Sequence, residues 1–283
     1  MSRQGLCVYR GAVAQADDID ARIGRLEIPW SSFGVDPYGV SRKFLGWSMR
    51  MLAPFYRSYF GVKVFGADQV PARGRAMIVG NHSGGIALDG AMVIAAMFFA
   101  KDPPRLAQGM IEKFINQLPV FSLWASRTGQ FTGLPEHAIR LLEDDRLLMV
   151  FPEGAKGTAK LYKDRHSLVS FGTGFLRLAL RTKTPIIPFG FLGGGEALPT
   201  ISNAYSIGKL FGVPYVPITP YGLAIPLPVR MQIHFGAPMV FEGTGSEDDA
   251  VVTAWVDEVK ARIASLIEAG LAHKKGLLLS RNV

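Results

Sequence analysis

Cysteine is nearly missing from the chain, because Cys7 is the sole cysteine among 283 residues. A single thiol excludes an intrachain disulfide and a metal site built from several cysteines. The chain also lacks an apolar run long enough to cross a bilayer, since the best candidate, residues 90–100, falls far short of the roughly 20 residues that a spanning helix needs. Residues 1–5 contain no apolar signal core. These absences predict a cytoplasmic compartment.

Acidic residues are in the minority, with 23 aspartates and glutamates against 31 lysines and arginines, so the net charge is +8. This charge suits nucleic acid, an anionic membrane surface or acidic ligands. The positive residues are dispersed among apolar ones and form no recognition helix, which disfavours nucleic acid. Hydrophobic residues make up 48% of the chain and the mean hydropathy is +0.20, which excludes a disordered protein.

Apolar segments alternate with amphipathic ones after residue 60. Four short apolar segments are predicted to be buried strands: residues 62–65, 76–79, 147–151 and 185–191. Four longer segments are predicted to be helices: residues 90–100, 135–144, 168–181 and 248–269. Residues 229–235 alternate apolar and polar side chains, as in a half-exposed strand. This order predicts an α/β fold, with one three-layer domain over residues 61–283 whose central mixed sheet is flanked by helices.

Residues 1–60 are predicted to be a leader that ends in an amphipathic, membrane-contacting helical segment. Four large apolar residues share a face at helical spacing: Phe44, Trp47, Met51 and Phe55. Four cations accompany them: Arg42, Lys43, Arg50 and Arg57. Such a segment can lie in a bilayer interface, and the alternative is an ordinary helix packed on the core. The basic, apolar composition favours the membrane and predicts a peripheral protein on its cytoplasmic side.

A second unusual segment, residues 205–228, is apolar and rich in closely spaced prolines. Prolines at this spacing exclude a regular helix and disfavour a central strand. A long apolar segment without regular structure must pack on the core, line a pocket or meet a membrane. Packing over the core and contact with lipid are equally consistent with the sequence.

A histidine and a carboxylate lie in the glycine-rich residues 80–90, between an apolar strand and an apolar helix. That position is where α/β proteins display reactive groups. His82 is suited to proton transfer near neutral pH, and Asp89 can fix its tautomer. A polar turn with Asp89 as the helix N-cap is the equally weighted alternative.

Residues 150–158, with the sequence VFPEGAKGT, form a second polar motif after an apolar strand, and so at the same sheet edge as His82. Glu153 and Lys156 lie near a glycine-flanked loop whose backbone N–H groups can bind a phosphate or an acceptor hydroxyl. Three further cations extend the positive field: Lys160, Lys163 and Arg165. Taken alone, such a motif is more often a solvated, capped loop.

The two motifs together are specific. Asn81-His82 with Asp89 downstream, then Phe151 to Gly154, then the PIIP strand at residues 185–188, occur in the order seen in the glycerophosphate and lysophosphatidate acyltransferase superfamily. The chain resembles that superfamily from about residue 60 to 240. The resemblance implies a membrane-associated α/β fold. It also implies acyl transfer to a glycerolipid hydroxyl from an acyl-thioester, acyl-CoA or acyl-carrier protein, as co-substrate and without a further cofactor.

The spacing of the first motif departs from the family pattern. Six residues, Ser83 to Leu88, separate His82 from Asp89, where the family has four. The pair can form only if two additional residues bulge out of the turn, which Gly84 and Gly85 would permit.

Two departures concern phosphate recognition. No arginine follows Gly129 within residues 127–135, where the family has an arginine that grips phosphate, and Lys156 replaces the arginine that follows the glutamate-glycine pair. A lysine is a point charge rather than a bidentate fork. A lysophospholipid acceptor such as lysophosphatidate is predicted, with a neutral mono- or diacylglycerol as the alternative.

In the predicted mechanism His82 takes the proton of the acceptor hydroxyl, and Asp89 holds the imidazole and stabilises its charged form. Backbone N–H groups of Gly84 and Gly85, or those near Gly154, stabilise the oxyanion. The thiolate then leaves without a covalent acyl-enzyme and without a metal.

Four residues are predicted to bind substrate: Glu153, Gly154, Lys156 and Arg127. Glu153 orients the acceptor, while Lys156 and Arg127 face its anionic head. A thioester hydrolase and a non-catalytic lipid-binding protein are the less favoured alternatives.

Overall fold

The computed structural model of the protein describes residues 18–111, 119–132, 134–222 and 224–279. Residues 1–17 of the predicted leader, with Cys7, lie outside these ranges. The described residues form a seven-stranded sheet and a separate two-stranded sheet. The strands are β1 Lys63–Phe65, β2 Ala76–Gly80, β3 Ala107–Ile111, β4 Phe131–Thr132, β5 Leu147–Val150, β6 Ile186–Leu192, β7 Ser202–Ala204, β8 Val216–Ile218 and β9 Gln232–Phe235.

Helices cover both faces of the large sheet. The helices of the described residues are α1 Asp18–Gly24, α2 Arg42–Pro54, α3 Leu88–Phe99, α4 Pro119–Thr128, α5 Pro135–Glu143, α6 Ala155–Thr158, α7 Gly174–Thr182, α8 Gly194–Ala197, α9 Tyr205–Leu210 and α10 Asp249–Leu279. A π-helical turn, Phe55–Tyr59, continues α2, and short 3₁₀ turns occur in loops at Ala67–Gln69 and Tyr162–Asp164.

The strands of the large sheet lie in the order β1-β9-β6-β2-β5-β3-β4. β2 is central and pairs in parallel with both β5 and β6. β3 continues the parallel set, whereas β9 runs antiparallel to β6, so the sheet is mixed as predicted. Because β2, β5 and β6 are parallel, their carboxyl ends share one edge, and the loops that follow β2 and β5 meet there.

The position of β2 at the centre of the sheet explains why its sequence is uniformly apolar. Every residue of β2 is buried, because helices cover both faces of the sheet. Alternate side chains of a strand point to opposite faces. Ala76 and Ile78 therefore join the core cluster with α2 and α3, whereas Met77 and Val79 join the cluster with α5, α7 and α10. The three-layer α/β architecture is confirmed.

The predicted helix over residues 168–181 is wrong in its first part, because α7 begins only at Gly174. The Val169 N–H instead donates to Glu153 Oε2 at 2.9 Å. Segment 205–228 also contains more regular structure than predicted, since its prolines begin only at Pro214. α9 precedes that proline, and β8 pairs with β7.

The predicted half-exposed strand is fully buried as β9. Its polar side chains satisfy each other, since His234 Nε2 lies 2.9 Å from Gln232 Oε1. The His234 ring also stacks on Phe65 with ring centroids 4.4 Å apart. Burial lowers the pKa of His234 to about 4, so this histidine is neutral at pH 7. A polar residue in an alternating pattern is here a paired core residue.

α2 combines both alternatives for the N-terminal segment, because one face packs on the core and the other is exposed. The buried face contains Leu45, Met49 and Ala53. The exposed face carries two of the predicted apolar residues, Trp47 and Met51, and a third, Phe55, is exposed at the start of the adjoining π-helical turn. Within the described ranges, we find no helix that combines the length and the apolar character needed to cross a membrane.

Two of the predicted cations of this segment are engaged within the protein. Arg50 pairs with Asp20 at 2.5 Å, and the Arg57 guanidinium lies 4.8 Å from the centroid of the Phe99 ring. Arg42 and Lys43 at the start of α2 are exposed.

Candidate active site

His82 and Asp89 meet at the carboxyl edge of the sheet, in the turn between β2 and α3. His82 Nδ1 lies 2.7 Å from Asp89 Oδ2, and the Ser83 N–H donates to the same oxygen at 2.7 Å. The Asp89 side chain is fully buried, and its other oxygen accepts from the Gly90 N–H at 2.8 Å. As second residue of α3, Asp89 lies where the helix dipole favours a negative charge. The N-cap is Ala87, so the alternative in which Asp89 caps the helix is wrong.

The six intervening residues fit because the turn bulges. Gly84 and Gly85 have φ angles of 99° and 69°, which other residues rarely adopt. A Cβ on Gly84 would also lie 2.8 Å from the Gly194 carbonyl oxygen, so close packing demands a glycine there. Ile86 and Ala87 are exposed. The turn is therefore longer than the family pattern by two residues that project away from the core, and the His82–Asp89 contact still forms.

The His82 ring is fixed on its face as well as at Nδ1. It stacks on Phe151, with ring centroids 4.3 Å apart and an interplanar angle of 16°. Its side chain retains 13% exposure. Because Nδ1 faces a carboxylate, the neutral ring carries its proton there and leaves the lone pair at Nε2. An imidazole in this state can accept a proton from a hydroxyl group.

Asn81 ties the start of the turn to the sheet. Its Nδ2 donates to the Phe191 carbonyl oxygen at 3.0 Å, and the Phe191 N–H donates to its Oδ1 at 2.7 Å. Phe191 lies on β6, the neighbour of β2, so the amide side chain extends the hydrogen bonding between these strands beyond the end of β2. These two hydrogen bonds therefore fix the backbone position of the adjacent residue, His82.

Glu153 supports His82 from the loop after β5. The His82 N–H donates to Glu153 Oε1 at 2.8 Å, and the Val169 N–H donates to Oε2 at 2.9 Å. Lys160 Nζ donates to both oxygens, at 3.1 and 2.9 Å, and to the Ser167 carbonyl at 2.9 Å. The side chains of the Glu153–Lys160 pair are 0% and 4% exposed. These are the contacts of a carboxylate that holds the His82 backbone, and both of its oxygens are engaged by protein donors.

Gly157 lies directly behind His82. A Cβ at Gly157 would be 2.7 Å from the Cβ atoms of both His82 and Glu153. We therefore expect Gly157→Ala to displace His82 and to lower the free energy of unfolding by about 1–3 kcal/mol, which chemical denaturation would measure. Gly172→Ala is the matched control, because a Cβ there would meet only the Pro152 carbonyl oxygen, at 3.9 Å. Equal effects of the two changes would contradict this packing argument.

The predicted oxyanion donors differ in availability. The Gly85 N–H donates to the Thr158 carbonyl oxygen at 3.1 Å, and the Gly154 N–H donates to the Phe151 carbonyl oxygen at 3.0 Å. The Gly84 N–H has no acceptor among the described residues. Of these three predicted donors, Gly84 is therefore the one whose N–H is not engaged by a described residue.

The two predicted cations lie at different edges of the sheet. Lys156 is exposed in α6, at the edge that carries His82. Arg127 precedes β4, and its carbonyl oxygen accepts from the Ser41 N–H at 3.0 Å. Because β4 is parallel to β3, this position is the amino edge, opposite His82. The structure brings Lys156 to the site and does not bring Arg127 there.

Sequence reasoning missed what Lys160 does. The sequence pattern predicts that Lys160 adds to a positive field around the site, whereas its ammonium group is buried against Glu153. The available signal was its position seven residues after Glu153, at the end of a short glycine-containing turn. Among the described residues no cluster of His, Cys, Asp and Glu is arranged to hold a metal ion. The site thus offers a base, an orienting carboxylate and an exposed cation, a set suited to deprotonating a hydroxyl group.

Comparisons with known proteins point to an acyltransferase family. Residues 61–192 match the model of a family described as acyltransferase. An uncharacterized protein of Mycobacterium tuberculosis is 34% identical over 256 residues, which cover 87% of this chain and 72% of that protein. A human protein named as a DGAT1/2-independent enzyme synthesizing storage lipids is 26% identical over 188 residues, covering 65% of this chain and 55% of its own.

A solved structure has a similar fold. It is the 1-acyl-sn-glycerophosphate (LPA) acyltransferase PlsC from Thermotoga maritima, which matches with a TM-score of 0.54 at 17% sequence identity. The match covers 78% of this chain and 79% of that one. The matched family region, residues 61–192, contains the whole His82 turn and the loop that carries Glu153.

Proposed function

The chain belongs to the acyltransferase family, as an enzyme of the glycerolipid acyltransferase superfamily, and from this premise we propose the reaction that it catalyses. It transfers a fatty acyl group from an acyl-thioester, acyl-CoA or acyl-carrier protein, to a hydroxyl of a lysophospholipid such as lysophosphatidate, in phospholipid synthesis. The observation that carries this proposal is the 2.7 Å contact between His82 Nδ1 and the buried Asp89 carboxylate.

The proposed reaction is a direct displacement. His82 Nε2 accepts the proton of the acceptor hydroxyl while the oxygen attacks the thioester carbonyl carbon. The tetrahedral intermediate collapses by breaking the carbon–sulfur bond, and the imidazolium returns its proton to the leaving thiolate. Asp89 holds the ring in the productive tautomer and stabilises its charge. In this proposal the Gly84 N–H donates to the oxyanion.

The residues around this pair have positioning roles in the proposal. Glu153 and Lys160 fix the His82 backbone, and Asn81 fixes the residue before it. Lys156 is the cation that would face a phosphate on the acceptor, because it is exposed at the same edge. Arg127 is assigned no part in substrate binding, since it lies at the opposite edge.

A neutral glycerolipid is the second candidate acceptor. Lys156 alone of the two predicted phosphate ligands reaches the site, and a lysine offers a single point charge. The human relative named for storage-lipid synthesis also favours an acceptor without phosphate. A panel of lysophospholipids, monoacylglycerols and diacylglycerols, assayed with acyl-CoA and acyl-carrier protein and read by mass spectrometry, separates these alternatives.

Lys156→Ala tests the nature of the acceptor. If the acceptor carries phosphate, we expect the KM for that acceptor to rise about tenfold, because one charge-assisted contact is lost. The KM for neutral acceptors should change by less than about twofold, as expected of a surface change without that contact. Lys63→Ala is the control, since Lys63 is an exposed lysine on the edge strand β1. Equal effects of Lys156→Ala on both acceptor classes would remove Lys156 from phosphate recognition.

The location of the enzyme follows from its substrates in this proposal. A glycerolipid acceptor resides in a membrane, and the exposed apolar face of α2 with Arg42 and Lys43 suits the surface of a bilayer with anionic headgroups. We propose a peripheral enzyme on the cytoplasmic side of the membrane. Its partners are the lipid surface, the acceptor and the acyl donor.

A further inference from the structure

Residues 198–218 form a small unit that rests on the turn between β2 and α3. β7 and β8 pair antiparallel within it, and α9 lies between them along the chain. A Cβ on Gly85 would be 2.6 Å from Leu198 and 3.2 Å from Pro217, so the unit packs tightly on the bulge. The Tyr215 hydroxyl donates to the Gly85 carbonyl oxygen at 3.1 Å. Burial raises the pKa of Tyr215 to about 12, so this hydroxyl remains a donor at neutral pH.

The outer side of this unit is unusually apolar. Leu210 and Phe211 are 81% and 66% exposed, and Tyr205 and Ile207 are exposed beside them. The buried residue of α9 is Gly208, where a Cβ would lie 2.5 Å from the Tyr215 Cα atom. α9 is thus seated directly on the residue that binds the turn, and it presents its large side chains to solvent.

The form of this surface favours lipid over a folded protein partner. The large side chains of this six-residue helix project singly into solvent, and close packing against a folded protein would need a pocket shaped to each of them. A fluid lipid phase can surround such a projection, and aromatic side chains with a polar tip suit the membrane interface.

The charge of this segment and its contact with the end of the α2 region also favour a lipid surface. Between residues 198 and 228 the only charged residue is Lys209, and it is exposed in α9. A lone cation beside apolar side chains suits anionic headgroups. The segment that follows the unit also contacts the π-helical turn that continues α2, because the Tyr59 hydroxyl donates to the Pro226 carbonyl oxygen at 2.7 Å.

We propose that α9 and Phe211 insert into the surface of an anionic bilayer and form a second lipid contact, separate from α2, next to the active site. The proposal rests on the proposed function, because a lipid acceptor gives the contact its purpose. Through Gly208, Tyr215 and Gly85 this contact holds the bulge of the His82 turn at the membrane surface, so the acceptor hydroxyl has a short path to the base.

The test is the double change Leu210→Ser with Phe211→Ser, measured by sedimentation with vesicles of phosphatidylcholine and phosphatidylglycerol in equal amounts. We expect vesicle binding to weaken about tenfold or more, because two large apolar side chains no longer insert. Transfer to a short-chain lysophospholipid that is dissolved as monomers should be unchanged. The matched control is Val240→Ser with Val251→Ser, two exposed apolar residues in the stretch that follows β9 at the amino edge of the sheet, and it should bind vesicles as the wild type does.

Each outcome decides the proposal. Equal vesicle binding by the wild type and the Leu210/Phe211 variant overturns it. So does a wild-type dimer that the variant converts to a monomer, because the surface would then be covered by a second copy of the chain. If the wild type transfers no acyl group to any acceptor, the proposed reaction fails, while vesicle binding still reports separately on α9.

Discussion

His82→Ala is expected to reduce acyl transfer by about 10²–10⁴-fold or to abolish it, since the acceptor hydroxyl loses its base. The fold should remain intact, because Asn81 still binds Phe191 and Glu153 still accepts from the backbone N–H at position 82. The measurement is the rate of acylated lipid formation, accompanied by circular dichroism to follow the secondary structure.

A second histidine provides a matched control for this change. His137 stacks on Phe131 with ring centroids 4.4 Å apart, much as His82 stacks on Phe151. Burial lowers the pKa of His137, and it lies on α5, away from the turn between β2 and α3. His137→Ala should therefore leave acyl transfer nearly unchanged. Substantial transfer by His82→Ala, comparable to that of His137→Ala, would refute the assignment of the base.

Lys160→Met is expected to cause the largest loss of stability, about 3–5 kcal/mol in the free energy of unfolding. The change leaves the Glu153 carboxylate buried without its cation, at 0% exposure. The double change Lys160→Met with Glu153→Gln removes both charges, so it should recover part of the loss. Urea denaturation of the wild type, the single variant and the double variant measures these free energies of unfolding.

The exposed ion pair between Arg73 and Glu27, 2.7 Å apart, is the control for burial. Glu27→Gln should lower the free energy of unfolding by no more than about 1 kcal/mol, because water screens a surface pair. If Lys160→Met has no larger effect than this control, the buried pair does not hold the loop after β5. The support that Glu153 gives to His82 would then need another explanation.

The parts of the fold that could be predicted from sequence are those set by local pattern. β2 and β5 are short apolar runs because both faces of each strand are covered, and such runs are recognisable without a structure. β3 could not be recognised, because Gln108 and Gly109 interrupt its apolar pattern. The Gly109 N–H is paired with a residue distant in sequence, since it donates to the Gln130 side chain at 2.8 Å.

The candidate site likewise combines features that a local pattern predicts with features that depend on distant contacts. The edge that carries His82 follows from the position of His82 directly after an apolar strand and needs no long-range information. The reach of Asp89 across six residues depends on the φ angles of Gly84 and Gly85, which the sequence permits and does not require. The hydrogen bond from Tyr215 to Gly85 joins residues 130 positions apart, so no local pattern indicates it. Sequence reasoning therefore predicted that His82 and Asp89 meet, but it gave no indication of the distant contacts that hold their turn in place.

The central claim is that the acyl group passes straight from the thioester to a lipid hydroxyl under base catalysis by His82. A single-turnover reaction with radiolabelled acyl-CoA and lysophosphatidate, quenched over time and resolved into free thiol, acylated lipid, fatty acid and labelled protein, tests it most directly. We predict that acylated lipid and free thiol appear together in equal amounts, and only when the acceptor is present. Release of fatty acid at the same rate without the acceptor, or label bound to the protein, would contradict it.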